Sequence, residues 1–227
     1  MKYSLITGGL GLIGTFIAKI LLDKKISKKV VCLDAFGRYS SSSNMNFEDF
    51  RKYRLDYLGK NIILERGEAK YPSVVNKIIS KYKPEYIFHL AALPLAKLQN
   101  LNSDEAAEGS ILTTTNIINA VENLRMIGNY KLKKFVYASS SMVYGDFKSN
   151  TINEKHSTNP KEVYGTMKLA GEIVTKGLCN FYNINYNIIR PSAVYGPTDM
   201  NRRVSQIFIE KALRKETLDL GPSSGMM

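Results

Sequence analysis

Apolar and polar positions follow two rhythms along this chain. Short, nearly continuous apolar runs at residues 3–7, 29–33, 61–65, 85–90, 134–138 and 185–189 read as buried strands. Between them, apolar residues recur at three- and four-residue steps over 12–22, 47–58, 72–82, 103–124 and 162–181, which predicts helices with one buried face. The stripe Val74, Val75, Ile78 and Ile79 is the clearest of these, and Pro84 ends it. Helix 47–58 carries Phe47, Phe50, Tyr53, Leu55 and Tyr57, a stripe expected to face the core, with Arg51, Lys52 and Arg54 beside it. Strands alternating with helices predict an α/β fold, a doubly wound parallel sheet with helices on both faces. Ligands bind such sheets beyond the carboxyl ends of the strands. After residue 190 the rhythm changes to a loop, a helix over 204–213 and a short apolar segment at 218–220. The chain is therefore expected to divide into residues 1–190 and the start of a small second lobe, 191–227.

The first strand–helix junction, residues 7–14, reads T-G-G-L-G-L-I-G. Gly9, Gly11 and Gly14 fit G-x-G-x-x-G, while Gly8, Gly11 and Gly14 fit the looser G-x-x-G-x-x-G, and the pattern alone does not choose. Glycines permit the sharp turn and let a pyrophosphate approach the backbone, and the helix N-terminus offers N–H groups and a positive dipole end. Asp34 closes the second strand 20 residues after Gly14, where a carboxylate accepts hydrogen bonds from an adenosine ribose. The combination points to a Rossmann-type dinucleotide-binding domain. Asp34 favours NAD over NADP because it would repel a 2′-phosphate, an effect softened by nearby Arg38.

Composition narrows the setting. The 227 residues, 44% of them hydrophobic, suffice for one substantial core. Cys32 and Cys179 lie in apolar contexts and read as free thiols of a reducing compartment, which suggests a cytoplasmic protein. The apolar run before Leu22 is broken by four glycines and Lys19, and no small-residue cleavage site follows, which argues against a secretory signal or membrane anchor. The net charge of +12 suits a phosphate-rich ligand. Its lysines are scattered without a long basic block, so solvated helix faces explain them better than nucleic acid does. No metal-ligand set is predicted.

Tyr164 and Lys168 lie four residues apart, on one helical face. A phenol is a poor base at neutral pH, and lowering its pKa by about 3 units needs roughly 4 kcal/mol of phenolate stabilisation. A neighbouring ammonium supplies part of this, and a cofactor's positive ring the rest. The serine turn 139–141 follows the fifth strand, where a hydroxyl can bond a substrate oxygen as it gains and loses a proton. Taken singly, these are a serine-rich turn and a common spacing. His89, at a strand end, reads as structural rather than catalytic.

T-G-G-L-G-L-I-G, Asp34, H-L-A-A (89–92), S-S-S-M-V-Y-G (139–145), Y-G-T-M-K (164–168) and R-P-S-A-V-Y-G-P (190–197) stand in the order found in extended short-chain dehydrogenase/reductases. The chain resembles their NAD-dependent epimerase/dehydratase branch, which acts on nucleotide sugars, over essentially its whole length. That resemblance implies Ser140, Tyr164 and Lys168 as the catalytic residues, with Lys168 also holding the nicotinamide ribose. It sets Gly8, Gly11, Leu12, Ile13 and Gly14 against the pyrophosphate of NAD, and Asp34 against the adenosine ribose. Leu90, Ala91 and Ala92 would pass beside the cofactor, and Pro191 would lie near the nicotinamide. Where the family usually has Gly-Asp near the adenine, this chain has Gly67-Glu68, and Glu68 with Ala69 is expected to serve instead. Ser110 stands where an Asn is common, and Arg190-Pro191-Ser192-Ala193 replaces Arg-x-x-Asn, which removes an amide often placed near the sugar-nucleotide phosphates.

The family's 4,6-dehydratases carry Asp-Glu just after the catalytic hydroxyl, and this chain has Ser141-Met142 there. The leading expectation is therefore a 4-epimerase resembling UDP-glucose 4-epimerase, working on a UDP-sugar by transient oxidation. A dehydratase, a dehydrogenase/reductase and, from another class, a non-catalytic NAD-binding regulatory or interaction protein stay open. Similar proteins usually continue further. Here only Arg190 to Met227, with Arg202 and Arg203 as candidates for a diphosphate, contribute to the lobe that grips the sugar nucleotide. The expectation is measurable NAD binding with poor turnover, and self-association, as in a homodimer, through apolar surface that the lobe would cover.

Overall fold

In the computed structural model, the described residues are 2–36, 47–92, 103–147, 151–199 and 204–218. Six strands form one sheet: β1 (Tyr3–Thr7), β2 (Lys29–Asp34), β3 (Ile62–Arg66), β4 (Tyr86–His89), β5 (Lys134–Ala138) and β6 (Tyr186–Ile189). Every neighbouring pair is parallel, in the order β3-β2-β1-β4-β5-β6. This is the doubly wound Rossmann-type arrangement that the alternating pattern predicts. The order reverses between β1 and β4, where Thr7 stands level with both Leu33 and His89. Connections leave to opposite faces there, which opens a crevice at the carboxyl ends.

The helices are α1 (Leu12–Asp23), α2 (Phe47–Leu58), α3 (Pro72–Tyr82), α4 (Ser103–Ala107), α5 (Thr113–Ile127), α6 (Val163–Phe181) and α7 (Val204–Leu213). Strand alternation sorts the core into two layers. Leu5, Val31 and Leu33 pack with Ile79, Ile117 and Phe135 on one face of the sheet. Ile6, Val30 and Cys32 pack with Ala18, Leu21 and Leu58 on the other.

The helix expected over 103–124 is present and runs on to Ile127, with a π-helical turn, Glu108–Leu112, between α4 and α5. Thr113, Thr114 and Thr115 each donate their hydroxyl to the carbonyl four residues back, on Gly109, Ser110 and Ile111, a pattern that competes with regular helix bonding. One expectation needs correction in part, the core-facing stripe of α2: Leu55 packs against the core, but Tyr53 and Tyr57 are 55% and 40% exposed and stack on each other, while Arg54 and Leu58 turn inward. The inner face of α2 meets backbone carbonyls, so a guanidinium fits there better than a ring.

Beyond β6, residues 190–199 form a loop, and no residue of α7 is buried. Among the described residues no helix is long and apolar enough to cross a membrane.

Candidate active site

The crevice is a cavity of about 740 Å³ lined by the ends of β1, β2, β4 and β5 and the turns that follow them. Its floor is the glycine loop. Gly8 has φ +69°, in the left-handed region, and a Cβ there would come within 3.1 Å of the Ala91 nitrogen. A Cβ on Gly14 would lie 2.5 Å from the Gly8 oxygen, so only glycine lets α1 begin this close to β1. Gly9 serves strand packing instead, since its Cβ would strike Cys32 at 2.5 Å, and it does not line the cavity. Of the two glycine patterns, the cavity therefore uses Gly8, Gly11 and Gly14, with Leu12 and Ile13 between them. The first intrahelical bond at this end runs from the Thr15 N–H to the Gly11 oxygen, 3.0 Å. The preceding N–H groups of the first turn remain for an anion. A floor of backbone N–H groups with no side chain at Gly8, Gly11 and Gly14 fits a pyrophosphate.

Asp34 lines the rim with both carboxylate oxygens fixed. Oδ2 accepts from the Leu10 N–H at 3.0 Å, and Oδ1 from the Phe36 N–H at 2.9 Å. Its remaining lone pairs suit a diol. Across the rim, Ala69 is buried and Glu68 is exposed; both line the cavity. Lys70 joins Glu68 at 3.4 Å and Glu108 of the π turn at 3.2 Å. Asn116 donates to the Ala69 and Lys70 carbonyls and holds this loop down.

Leu90, Ala91 and Ala92 continue the cavity wall from β4. The Ala91 N–H donates to Thr7 Oγ1 at 3.1 Å. His89 lies behind them, 1% exposed, its ring nitrogens 2.7 Å from Thr7 Oγ1 and 3.1 Å from Thr113 Oγ1. Burial, reinforced by the charge of Lys168, pushes its pKa down to about 3, so it is a neutral brace.

The opposite wall carries Ser140, Tyr164 and Lys168, all lining the same cavity with Pro191. Ser140 caps the 3₁₀ turn Ser141–Tyr144, its Oγ accepting from the Met142 N–H at 3.2 Å. Tyr164 sits in the first turn of α6, half-buried. Lys168, one turn on and 3% exposed, donates from Nζ to the Ala138 carbonyl at 2.7 Å. That ammonium lies 5.8 Å from the Tyr164 ring centroid, and burial pushes its pKa down to about 8.

Behind this wall is an ionic brace that the motifs do not announce. Glu172, fully buried, accepts from Ser139 Oγ at 2.6 Å and from Arg190 Nε and Nη2, both at 2.7 Å. Arg190 Nη1 reaches the Tyr144 hydroxyl at 2.9 Å. Burial alone would raise the Glu172 pKa, but the bonds from Arg190 and Ser139 outweigh it and hold it below the usual carboxylate range. The available signal was a carboxylate four residues after Lys168, on the same helical face. Also missed was Arg54, a buried guanidinium in the cavity wall.

Ser141 and Met142, like Ser192 and Ala193, line the cavity, so the positions where the family resemblance suggested a carboxylate pair and an amide both face this space. Glu105 and Glu108 line it from the α4 side. Arg38, Arg202, Arg203 and residues 219–220 lie outside the described residues.

Residues 4–224 match the model of the NAD dependent epimerase/dehydratase family. A dTDP-D-glucose 4,6-dehydratase of Dictyostelium discoideum is 29% identical over 224 residues, 93% of this chain and 48% of that protein. A putative UDP-glucose 4-epimerase of Methanocaldococcus jannaschii is 28% identical over 221 residues, 94% of this chain and 64% of that protein. A UDP-glucuronic acid 4-epimerase from Bacillus cereus, solved with UDP-glucuronic acid and NAD, superimposes with a TM-score of 0.76 at 24% identity. That match covers 94% of this chain and 64% of the other, and shows a shared fold. This chain spans about half the length of curated relatives such as the Dictyostelium protein.

Proposed function

Because this chain belongs to the NAD-dependent epimerase/dehydratase family, we propose that it binds NAD in the crevice and inverts a carbinol carbon of a nucleotide sugar, as a UDP-sugar 4-epimerase. The reading is carried by one observation: Ser140, Tyr164 and Lys168 share a cavity with the glycine loop, and Ser141-Met142 puts no carboxylate beside Ser140. Residues 1–190 form the dinucleotide and catalytic unit, and 191–227 begin the substrate lobe. Gly8, Gly11, Leu12, Ile13 and Gly14 would hold the pyrophosphate, and Asp34 the adenosine ribose. Glu68 and Ala69 would hold the adenine, with Leu90, Ala91 and Ala92 along the cofactor and Pro191 at its nicotinamide end. NAD, when bound, would supply a hydride acceptor for one carbon of the sugar and the source of the same hydride for the opposite face of the resulting ketone, so that no net oxidation remains. Tyr164 takes the proton of that carbon's hydroxyl and later returns it. Lys168, anchored on the Ala138 carbonyl, stabilises the phenolate and holds the nicotinamide ribose. Ser140 hydrogen-bonds the same sugar oxygen. Cys32 and Cys179 are buried free thiols, which supports a cytoplasmic setting.

A dehydratase reading draws on Glu105, a carboxylate lining the cavity from α4. Incubation with NAD⁺ and a panel of UDP-, dTDP- and GDP-sugars, followed by product separation, tests both. C4 epimers without net NADH are the expected result. A 4-keto-6-deoxy sugar would move the assignment to a dehydratase, and accumulating NADH to a dehydrogenase. Tight NAD binding with every sugar returned unchanged would make it a non-catalytic NAD-binding protein.

A further inference from the structure

Arg54 plays no part in the chemistry above, yet it is the buried cation of α2 and lines the cavity. Its guanidinium joins two segments far apart in sequence. Nη1 donates to the Leu10 carbonyl, inside the glycine loop, at 2.7 Å. Nε and Nη2 donate to Thr198 Oγ1 at 3.0 Å and to the Thr198 carbonyl at 2.6 Å. Leu10 is thus clamped on both sides, its N–H on Asp34 and its carbonyl on Arg54. Thr198 has φ +71°, a conformation that a non-glycine residue keeps only when its surroundings impose it. Next to it Asp199 is 4% exposed, lines the cavity and donates its N–H to the Gly196 carbonyl at 3.1 Å. Asp199 thus sets this turn in the wall of the same cavity, and Arg54 ties the turn to the glycine loop. The three bonds leave three separate nitrogens of one rigid, planar fork, a spread that the single nitrogen of lysine does not reproduce.

We propose that Arg54 is a positioning residue that couples the glycine loop to the 196–199 turn, so that a dinucleotide bound on the loop orders the wall facing the substrate. This rests on the reading of residues 8–14 as a dinucleotide site. A dinucleotide that engages Asp34 and the loop acts on Leu10 from one side, and Arg54 transmits the constraint to Thr198 from the other. Coupling of this kind is reciprocal, so a loosened turn weakens dinucleotide binding.

Amide hydrogen exchange on the 227-residue chain, with and without NAD, tests this in the wild type, Arg54→Lys and Thr198→Gly. In the wild type, NAD slows exchange in residues 8–14 and in 196–199. In Arg54→Lys, NAD still protects the loop, protection of the turn by NAD is lost, and NAD binds about 5-fold or more weakly. Thr198→Gly removes one acceptor while suiting the positive φ, so it folds and shows a partial loss, which keeps the test decisive if Arg54→Lys is unstable. Equal NAD-induced protection of the turn in all three proteins overturns the coupling, because direct contact with the ligand would then explain it. Absence of protection at residues 8–14 in the wild type overturns the dinucleotide reading and the coupling with it.

Discussion

The two walls of the cavity are built by opposite means. Around the glycine loop the wall is backbone laid on an apolar core: Ile6, Val30 and Val31 are fully buried, His89 stays neutral, and the charges present, Asp34 and Arg54, grip the loop's own N–H and carbonyl at Leu10. Across the cavity, the wall of β5, α6 and β6 buries ions, with Lys168 and Glu172 3% and 0% exposed. The first wall must present N–H groups to an anion, which needs close approach of backbone, and its charges serve to hold that backbone in place. The second must hold a proton-transfer group, which needs charge at a fixed place. Its two ions differ in turn. Glu172 has a bidentate arginine and a serine hydroxyl, and its carboxylate form is favoured. Lys168 has the Ala138 carbonyl and the faces of Tyr137 and Tyr164, and its charged form is disfavoured by burial. One ion holds the wall together; the other is kept there against its own solvation.

The strongest test of that contrast is Glu172→Ala, which leaves Arg190 without its counter-charge. Loss of one partner of a buried pair costs about 3 kcal/mol or more, and urea denaturation at neutral pH should show it. Because the folded pKa of Glu172 lies below 4.5, its contribution is complete above that value and is lost as pH falls through the folded pKa. The gap between wild type and variant should therefore narrow in acid. A loss under about 1 kcal/mol, typical of an exposed pair, would remove the brace from the account. Tyr164→Phe should do the reverse, reducing turnover by about 10²-fold or more with NAD affinity nearly intact and unfolding hardly changed. Near-normal turnover would take Tyr164 out of the mechanism.

The same division explains what could be read beforehand. Most proposed site residues lie at a strand end or in the turn after it, and Tyr164 and Lys168 lie one turn apart on α6, so local chemistry leaves a local mark; all of them, from Gly8 to Pro191, line one cavity. The parallel sheet was legible because each strand is a short apolar run. The inward turn of Arg54 was not, because its acceptors, Leu10 and Thr198, lie 44 and 144 residues away. Amphipathic reasoning puts rings inside and cations outside, and here the carbonyls reversed it. The Glu172–Arg190 pair joins α6 to the loop after β6 across 18 residues, and its one local hint was a carboxylate four residues after Lys168. The choice between Gly8 and Gly9 depended on Cys32 in the neighbouring strand. The π turn was hidden because apolar spacing runs on through it.

The glycine wall should be sensitive to volume instead of charge. Gly14→Ala places a methyl group 2.5 Å from the Gly8 oxygen and 2.8 Å from Gly9 Cα, backbone atoms of a turn that cannot easily move. Overpacking of this kind destabilises by about 1–3 kcal/mol. Thermal unfolding should register it equally at low and high salt, and NAD affinity should fall with it. A Gly14→Ala protein with wild-type stability would mean that the loop yields, and that its shape is not set by close approach.

The smallest effect separates the two ions most sharply. Lys168 has a folded pKa of about 8 against an ordinary value of 10.5. Below pH 8 the lysine is charged in both folded and unfolded chains, and the folded state bears the full penalty of burying that charge. Between pH 8 and 10.5 the unfolded chain keeps a proton that the folded one has released, so wild-type stability rises with pH across this window. Lys168→Met abolishes that titration. It also forfeits the bond to the Ala138 carbonyl, worth about 1 kcal/mol, which offsets part of the relief. The variant should therefore be more stable than wild type at pH 7, and the advantage should shrink as pH climbs from 8 towards 10.5. Its affinity for NAD and its turnover should fall nonetheless. Urea titrations at pH 7 and pH 10 read both signs. If Lys168→Met is instead destabilised at pH 7, with no trend towards high pH, then Lys168 supports the fold as Glu172 does, and the distinction between a bracing ion and a working ion is lost.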